Sequence, residues 1–160
     1  MGARADALAD RIELGAHSLA SFAEGLTDAE WRRAIPPDGR QAGVMVHHVA
    51  SMYPIEVDLA RTVGSGKAIA GLTWADVAKL NAGHAHDHGA VGQRETVELL
   101  RKNARAAADA VRAFTDQELD RAAPQSLEAD APLTTQFFIE DHPVRHAFHH
   151  LAVIRAALHR

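Results

Sequence analysis

The sequence contains no cysteine, and this absence excludes disulfide bonds, thiolate metal ligands and a cysteine nucleophile. It also lacks an uninterrupted run of about 18 apolar residues, so it predicts no membrane-spanning helix, and no membrane partner is expected. The first ten residues mix alanine with Arg4, Asp6 and Asp10 and lack the apolar core of a signal peptide, so we expect a cytoplasmic protein. A formal net charge of −4 provides no electrostatic basis for binding nucleic acid.

Signals for β-strands are also scarce, because no convincing run alternates β-branched and polar residues. The 160 residues, of which 47% are hydrophobic and 24% charged, are typical of one globular domain spanning residues 1–160. Apolar residues recur instead at the three- and four-residue steps of amphipathic helices. The sequence therefore predicts an all-α fold.

The first long helix is predicted to end at Gly25. Its apolar stripe consists of Leu8, Ile12, Leu19, Phe22 and Leu26. Thr27 and Glu30 then have the spacing of a capping box, in which each side chain accepts a hydrogen bond from the other residue's backbone. This pattern predicts a short helix through Trp31.

The second long helix is predicted over residues 41–63, and Pro54 is expected to kink it because proline lacks a backbone donor. Residues 64–92 are then expected to form a long connection. In this connection one capped helical turn precedes a flexible, histidine-rich loop.

A third helix is predicted over residues 95–114, with a buried face of Val97, Leu100, Ala104, Ala107, Ala108 and Val111. A loop is expected at residues 122–132. The last helix is expected to begin near Pro143, with Asp141 as its N-cap. The four long helices predict a four-helix bundle of up-down-down-up type, with the long connection between helices two and three.

Histidine is unusually abundant in this chain, which has 11 of them. Histidine is the commonest metal ligand in proteins, so its clustering requires a chemical explanation. The clusters are His47 and His48, then His84, His86 and His88, and finally His142, His146, His149 and His150.

On the last helix, His146 and His150 flank the apolar face, while His149 and His142 point nearly opposite to it at about 100° per residue. Side chains four residues apart stack on one helical face, so two such imidazoles can hold the same ion. Zinc proteases of the H-E-x-x-H type have glutamate at the position of Ala147, so the pair does not indicate a zinc protease. The other interpretation of the pair is coincidental spacing in a histidine-rich chain.

Two histidines bind a metal weakly, and the second helix offers a third. His48 shares an apolar face with Val44, Met52, Ile55 and Leu59, whereas His47 lies on a more polar face. His48, His146 and His150 would together leave one coordination position open, as catalytic metal sites do. His47 is the alternative ligand from this helix, and a hydrogen-bonded core histidine is the alternative role for His48.

Four segments of the chain resemble the DinB-like superfamily, which includes the domain of mycothiol-dependent maleylpyruvate isomerases. They are Val-Met-Val-His-His-Val-Ala at 44–50, His-Ala-Phe-His-His-Leu-Ala-Val-Ile-Arg at 146–155, Leu-Thr-Asp-Ala-Glu-Trp at 26–31 and Phe-Thr-Asp-Gln-Glu-Leu at 114–119. The resemblance implies that His48, His146 and His150 hold a divalent metal, Zn²⁺ or Ni²⁺. It also implies a hydrolase or a thiol-dependent transferase or isomerase, often homodimeric. A small-molecule substrate and a low-molecular-weight thiol, such as mycothiol or bacillithiol, would be the partners.

Several other residues are candidates for supporting roles. Glu56 or Asp141 could orient a ligand imidazole, and His84 or His86 could act as general base. The alternative function is a non-catalytic bundle protein that binds metal or a small ligand, with the tract from His84 to His88 storing metal.

Overall fold

The computed structural model describes residues 2–160, and these residues form a mostly helical fold with one small sheet. The helices are α1 (Ala3–Glu24), α2 (Asp28–Trp31), α3 (Ala42–Gly64), α4 (Trp74–Asp87), α5 (Gln93–Arg112), α6 (Asp116–Asp120), α7 (Thr135–Ile139) and α8 (Arg145–Leu158). The strands are β1 (Ala122–Gln125) and β2 (Ala131–Thr134). Within the described residues, no helix is both long and apolar enough to cross a membrane.

The core lies between the long helices, where their apolar faces meet. Helix α1 packs against α5 and α8, and α3 packs against the same two helices. The predicted buried face of α5 is confirmed, because all of its members are buried. Three of them are alanines, whose small side chains let neighbouring helices approach closely.

Pro54 lies inside α3, which nevertheless continues unbroken from Ala42 to Gly64. Proline has no N–H to donate to the carbonyl oxygen four residues earlier, which here belongs to Ala50. The side-chain amide of Asn103, on α5, donates to that oxygen instead, with an Nδ2–O distance of 2.8 Å. This hydrogen bond satisfies the carbonyl oxygen that Pro54 leaves without a backbone donor. It also links α3 to α5 only two residues beyond His48.

Capping boxes begin three of the helices, at Thr27, Thr73 and Thr115. In each box the threonine hydroxyl accepts from the backbone N–H three residues later, and the acidic side chain there accepts from the threonine N–H. The predicted short helix after Thr27 is therefore confirmed.

The prediction of a flexible loop at the histidine-rich tract is wrong. His84 and His86 lie within α4, and His88 is its C-cap. The capping box at Thr73 starts this helix, and its four alanines, Ala75, Ala78, Ala82 and Ala85, favour its continuation because alanine has the highest helix propensity.

The prediction of a loop at residues 122–132 is also wrong, because β1 and β2 pair there as an antiparallel hairpin, with Ala122 opposite Thr134. A short 3₁₀ turn, Ser126–Glu128, joins them. Four-residue strands are too short to display a period of two convincingly, so the sequence carries little signal for them.

The continuous helical stretch that ends with α8 begins earlier than predicted, at Thr135. Thr134 caps α7 by accepting from Phe137 N–H, and a π-helical segment, Glu140–Val144, joins α7 to α8. Pro143 lies inside this segment. Proline has no backbone N–H to donate, and the helix widens into a π turn at this point. Asp141 is therefore not an N-cap.

The π-helical segment also changes the direction of His142, which the helical wheel assigned to the side opposite the core. Its side chain is only 23% exposed and its ring stacks on Phe138, with centroids 4.2 Å apart. An extra residue in one turn changes the direction of the side chains before it relative to α8, so the wheel fails for His142.

The hydrogen bond between Asn103 and Ala50 gives a first prediction. Asn103→Ala leaves the Ala50 carbonyl oxygen without its donor, so we expect the free energy of unfolding to fall by about 1–3 kcal/mol. In a Pro54→Ala background the new backbone N–H can donate to Ala50, and the effect of Asn103→Ala should shrink. Urea denaturation of the two single variants and the double variant measures this coupling. An equal loss in both backgrounds would contradict the compensation.

Candidate metal centre

His48 from α3 and His146 and His150 from α8 meet at one point. Each offers a ring nitrogen, and these nitrogens all lie within 4.8 Å of one another. The Nε2 atoms of His48 and His146 are 3.1 Å apart. The three rings lie with centroid separations of 4.9 to 5.5 Å. We call these three residues the inner triad.

The inner triad is largely buried, with His48 5% and His150 7% exposed. Burial, followed by the nearby His146, lowers the pKa of His48 to about 3 and that of His150 to about 2. Both rings are therefore neutral at physiological pH. Neutral imidazole is the form that donates a lone pair to a metal.

The nitrogen positions suit a single divalent ion. Two nitrogens bound to one tetrahedral zinc at about 2.0–2.1 Å are about 3.3 Å apart, close to the 3.1 Å between the Nε2 atoms of His48 and His146. Among residues 2–160, no hydrogen-bond partner reaches the buried Nδ1 of His150 or the buried Oε2 of Glu56. A set of neutral nitrogen donors beside a buried carboxylate fits a Zn²⁺ or Ni²⁺ ion.

Glu56 lies two helical turns beyond His48 on α3 and is 3% exposed. Its Oε1 is 2.8 Å from Nδ1 of His146, although the contact does not have the geometry of a hydrogen bond. A carboxylate at this position can orient a ligand ring whose other nitrogen faces the metal. Asp141, the other candidate for this role, contacts Arg145 Nε at 3.0 Å and His142 Nε2 at 3.7 Å instead.

A second group of histidines lies beside the first. His47 from α3 and His84 and His88 from α4 also offer nitrogens within 4.8 Å of one another, and we call them the outer triad. The ring of His84 is 5.6 Å from that of His48, between centroids. His86, by contrast, is exposed. The outer triad was not predicted from the sequence, although the four-residue spacing of His84 and His88 places both side chains on one face of a helix.

A cavity of about 470 Å³ opens beside the inner triad, whose three histidines form part of its wall. Its apolar wall includes Met52, Ile55, Leu59, Trp74, Val77, Leu80 and Leu127. Of the apolar stripe that contains His48, every member except Val44 therefore lines this cavity. Ile55, 45% exposed, accordingly lies outside the core.

Arg40 brings a positive charge to the same cavity. Its side chain is 12% exposed, and its Nε donates to Asp38 at 2.8 Å. Its Nη1 is buried and finds no hydrogen-bond acceptor in the part of the chain that the structure describes. A guanidinium with a free donor is suited to binding an anionic group.

Comparison of the chain with family models, with curated proteins and with solved structures finds no match.

The lowered pKa values give a second prediction, for the metal-free protein in a chelator. His48 and His150 stay neutral in the fold but titrate near pH 6.5 in the unfolded chain, which therefore binds more protons below that pH. Stability should fall as the pH decreases from 7 to 5, by at most about 2 kcal/mol for each histidine. Urea denaturation at several pH values measures the loss.

His48→Gln should reduce this pH dependence because glutamine does not titrate. His17→Gln, at an exposed position on α1, is the control and should leave it unchanged. Equal pH dependence in all three proteins would contradict the assignment.

Proposed function

We propose that the protein is a metal-dependent enzyme of the DinB-like superfamily, in which the inner triad holds a Zn²⁺ or Ni²⁺ ion at the wall of a substrate cavity. The observation behind this proposal is the convergence of three largely buried histidines beside an open, mainly apolar space. A purely structural metal site would instead be closed by a fourth protein ligand.

The fold supports the family resemblance. The packing of α1, α3, α5 and α8 is compatible with a four-helix bundle of up-down-down-up type, to which α4 and the hairpin are added. Two of the resembling segments lie on α3 and α8, and they carry His48 and the i, i+4 pair of His146 and His150. The fold alone does not specify an activity, so the chemistry of the cavity must supply it.

The cavity favours a substrate with an apolar body and an anionic group. The apolar side chains of α3 and α4 would pack against the body, and the free Nη1 of Arg40 would bind the anion. A divalent cation lowers the pKa of a bound water or thiol and thereby supplies a nucleophile near neutral pH. The reaction is a thiol transfer or isomerisation when a low-molecular-weight thiol enters, and hydrolysis when water does.

Proton transfer belongs to a residue that reaches the cavity. His142 lines it and lies 3.7 Å from Asp141, whereas His84 and His86 are not among the described residues that form its wall. Burial lowers the pKa of His142, so a neutral ring is present at pH 7 to accept a proton. We therefore assign the general base to His142 rather than to His84 or His86.

The third prediction tests the metal and the activity together. Replacing His146 and His150 by alanine should remove the tightly held ion and all metal-dependent activity. His149→Ala, the matched control on the same helix, should keep the ion because His149 is exposed and outside the triad. Elemental analysis of untagged protein measures the ion, and a screen of apolar, anionic electrophiles with and without mycothiol or bacillithiol measures turnover. Unchanged metal content in the alanine variant would refute the site.

The fourth prediction separates the two carboxylates. Glu56→Gln should weaken metal binding by about 10- to 100-fold, because His146 loses the carboxyl group that orients it. Asp141→Asn removes a carboxylate from the same cavity but not from a triad histidine, and should leave the affinity unchanged. Competition with a chromophoric chelator measures both affinities. Equal effects of the two substitutions would contradict a specific role for Glu56.

A further inference from the structure

The outer triad is built by the same arrangement as the inner one. In both, one histidine comes from α3 and an i, i+4 pair comes from a second helix. His47 and His48 are consecutive, so their side chains leave α3 about 100° apart and face different neighbours. His48 faces α8, and His47 faces α4.

The contacts within the outer triad are as close as those of the inner triad. Nδ1 of His47 is 2.9 Å from Nε2 of His84. The ring of His88 stacks on that of His47, with centroids 4.3 Å apart, and is 4.7 Å from the ring of His84. One ring nitrogen from each of the three imidazoles lies within 4.8 Å of the others, and imidazole nitrogens are suitable ligands for a divalent ion.

The helix that supplies two of these histidines has little else to hold it. None of the residues of α4, all of which the structure describes, is buried, and Trp74 and Leu80 are 62% and 52% exposed. Yet α4 forms one wall of the cavity, through Trp74, Val77 and Leu80. A link between α4 and α3 would therefore determine whether the cavity keeps its shape.

We propose that His47, His84 and His88 bind a second divalent cation, which fastens α4 to α3 and completes the wall of the cavity. The outer triad is half-buried, whereas two members of the inner triad are buried. The second ion is therefore bound more weakly than the first. The two sites share no ligand, so the second site goes beyond the proposed enzymatic function. It can be refuted while the inner metal site still stands.

Zinc titration of the untagged, metal-free protein tests the second site, with native mass spectrometry for stoichiometry and calorimetry for affinity. The wild type should bind two Zn²⁺ ions, one tightly and one weakly. His84→Gln/His88→Gln should bind only the tight ion, and His146→Gln/His150→Gln only the weak one. His86→Gln is the matched control, exposed on the same helix, and should bind both.

A wild type that binds one ion and still binds it in His84→Gln/His88→Gln would overturn the proposal. Two ions retained by His84→Gln/His88→Gln would overturn it as well, as would loss of both ions in that variant. Because α4 has no buried residue, these substitutions should leave the helical circular dichroism signal unchanged. The inner site is judged separately by the His146→Gln/His150→Gln protein.

Hydrogen exchange tests the fastening of α4. Opening of α4 breaks the outer triad, so exchange of the α4 amides should slow by a factor of one plus the ratio of free zinc to the dissociation constant. At free zinc of about 100 times the second dissociation constant, the slowing is about 100-fold. It should follow the second equivalent of zinc and be lost in His84→Gln/His88→Gln. Unchanged exchange of α4 in the wild type would overturn the fastening role.

Discussion

The approach of imidazole nitrogens from α3 and α8 to 3.1 Å is the contact on which the site depends. At that distance two neutral rings can share one proton, or both can bind a cation, but two charged rings would repel each other in a buried setting. Burial keeps His48 and His150 neutral and so preserves the lone pairs. The position of α3 matters as well. Asn103 on α5 supports it by donating a hydrogen bond to the Ala50 carbonyl oxygen, which Pro54 leaves without a backbone donor.

The sequence was sufficient to predict the members of the inner triad because each followed from a local rule. The four-residue spacing of His146 and His150 places both side chains on one face of any helix, whatever the helix packs against. His48 was selected because it interrupts an apolar stripe. Helical periodicity likewise gave the limits of α3 to within one residue and the whole buried face of α5. In the case of Glu56, the spacing from His48 suggested proximity, and the fold brings it to His146.

The features that were missed depend on longer-range contacts or on competing local preferences. The tract from His84 to His88 was assigned to a loop from its composition, although a capping box at Thr73 and a series of alanines favour a helix. The π-helical segment could not be read from Pro143, because proline at a first turn and proline inside a continuous helix look alike in sequence. The direction of His142 was wrong for the same reason. The cavity was missed because an apolar stripe does not reveal whether it faces a core or an open space.

The adjacent histidines of α3 explain how one helix can serve two groups of ligands. From the sequence, His47 and His48 were competitors for one position, since either could accompany the pair on the last helix. In the fold they diverge by about 100°, and each meets a different i, i+4 pair. The inner pair comes from a helix in the core, so its ring positions are fixed by packing that α8 shares with α1 and α3. The outer pair comes from a helix without buried residues, so its positions depend on whatever the histidines themselves bind. The same imidazole chemistry therefore gives histidines held in place by packing on the α8 side of α3. On the α4 side it gives histidines whose positions depend on the ligand that they bind.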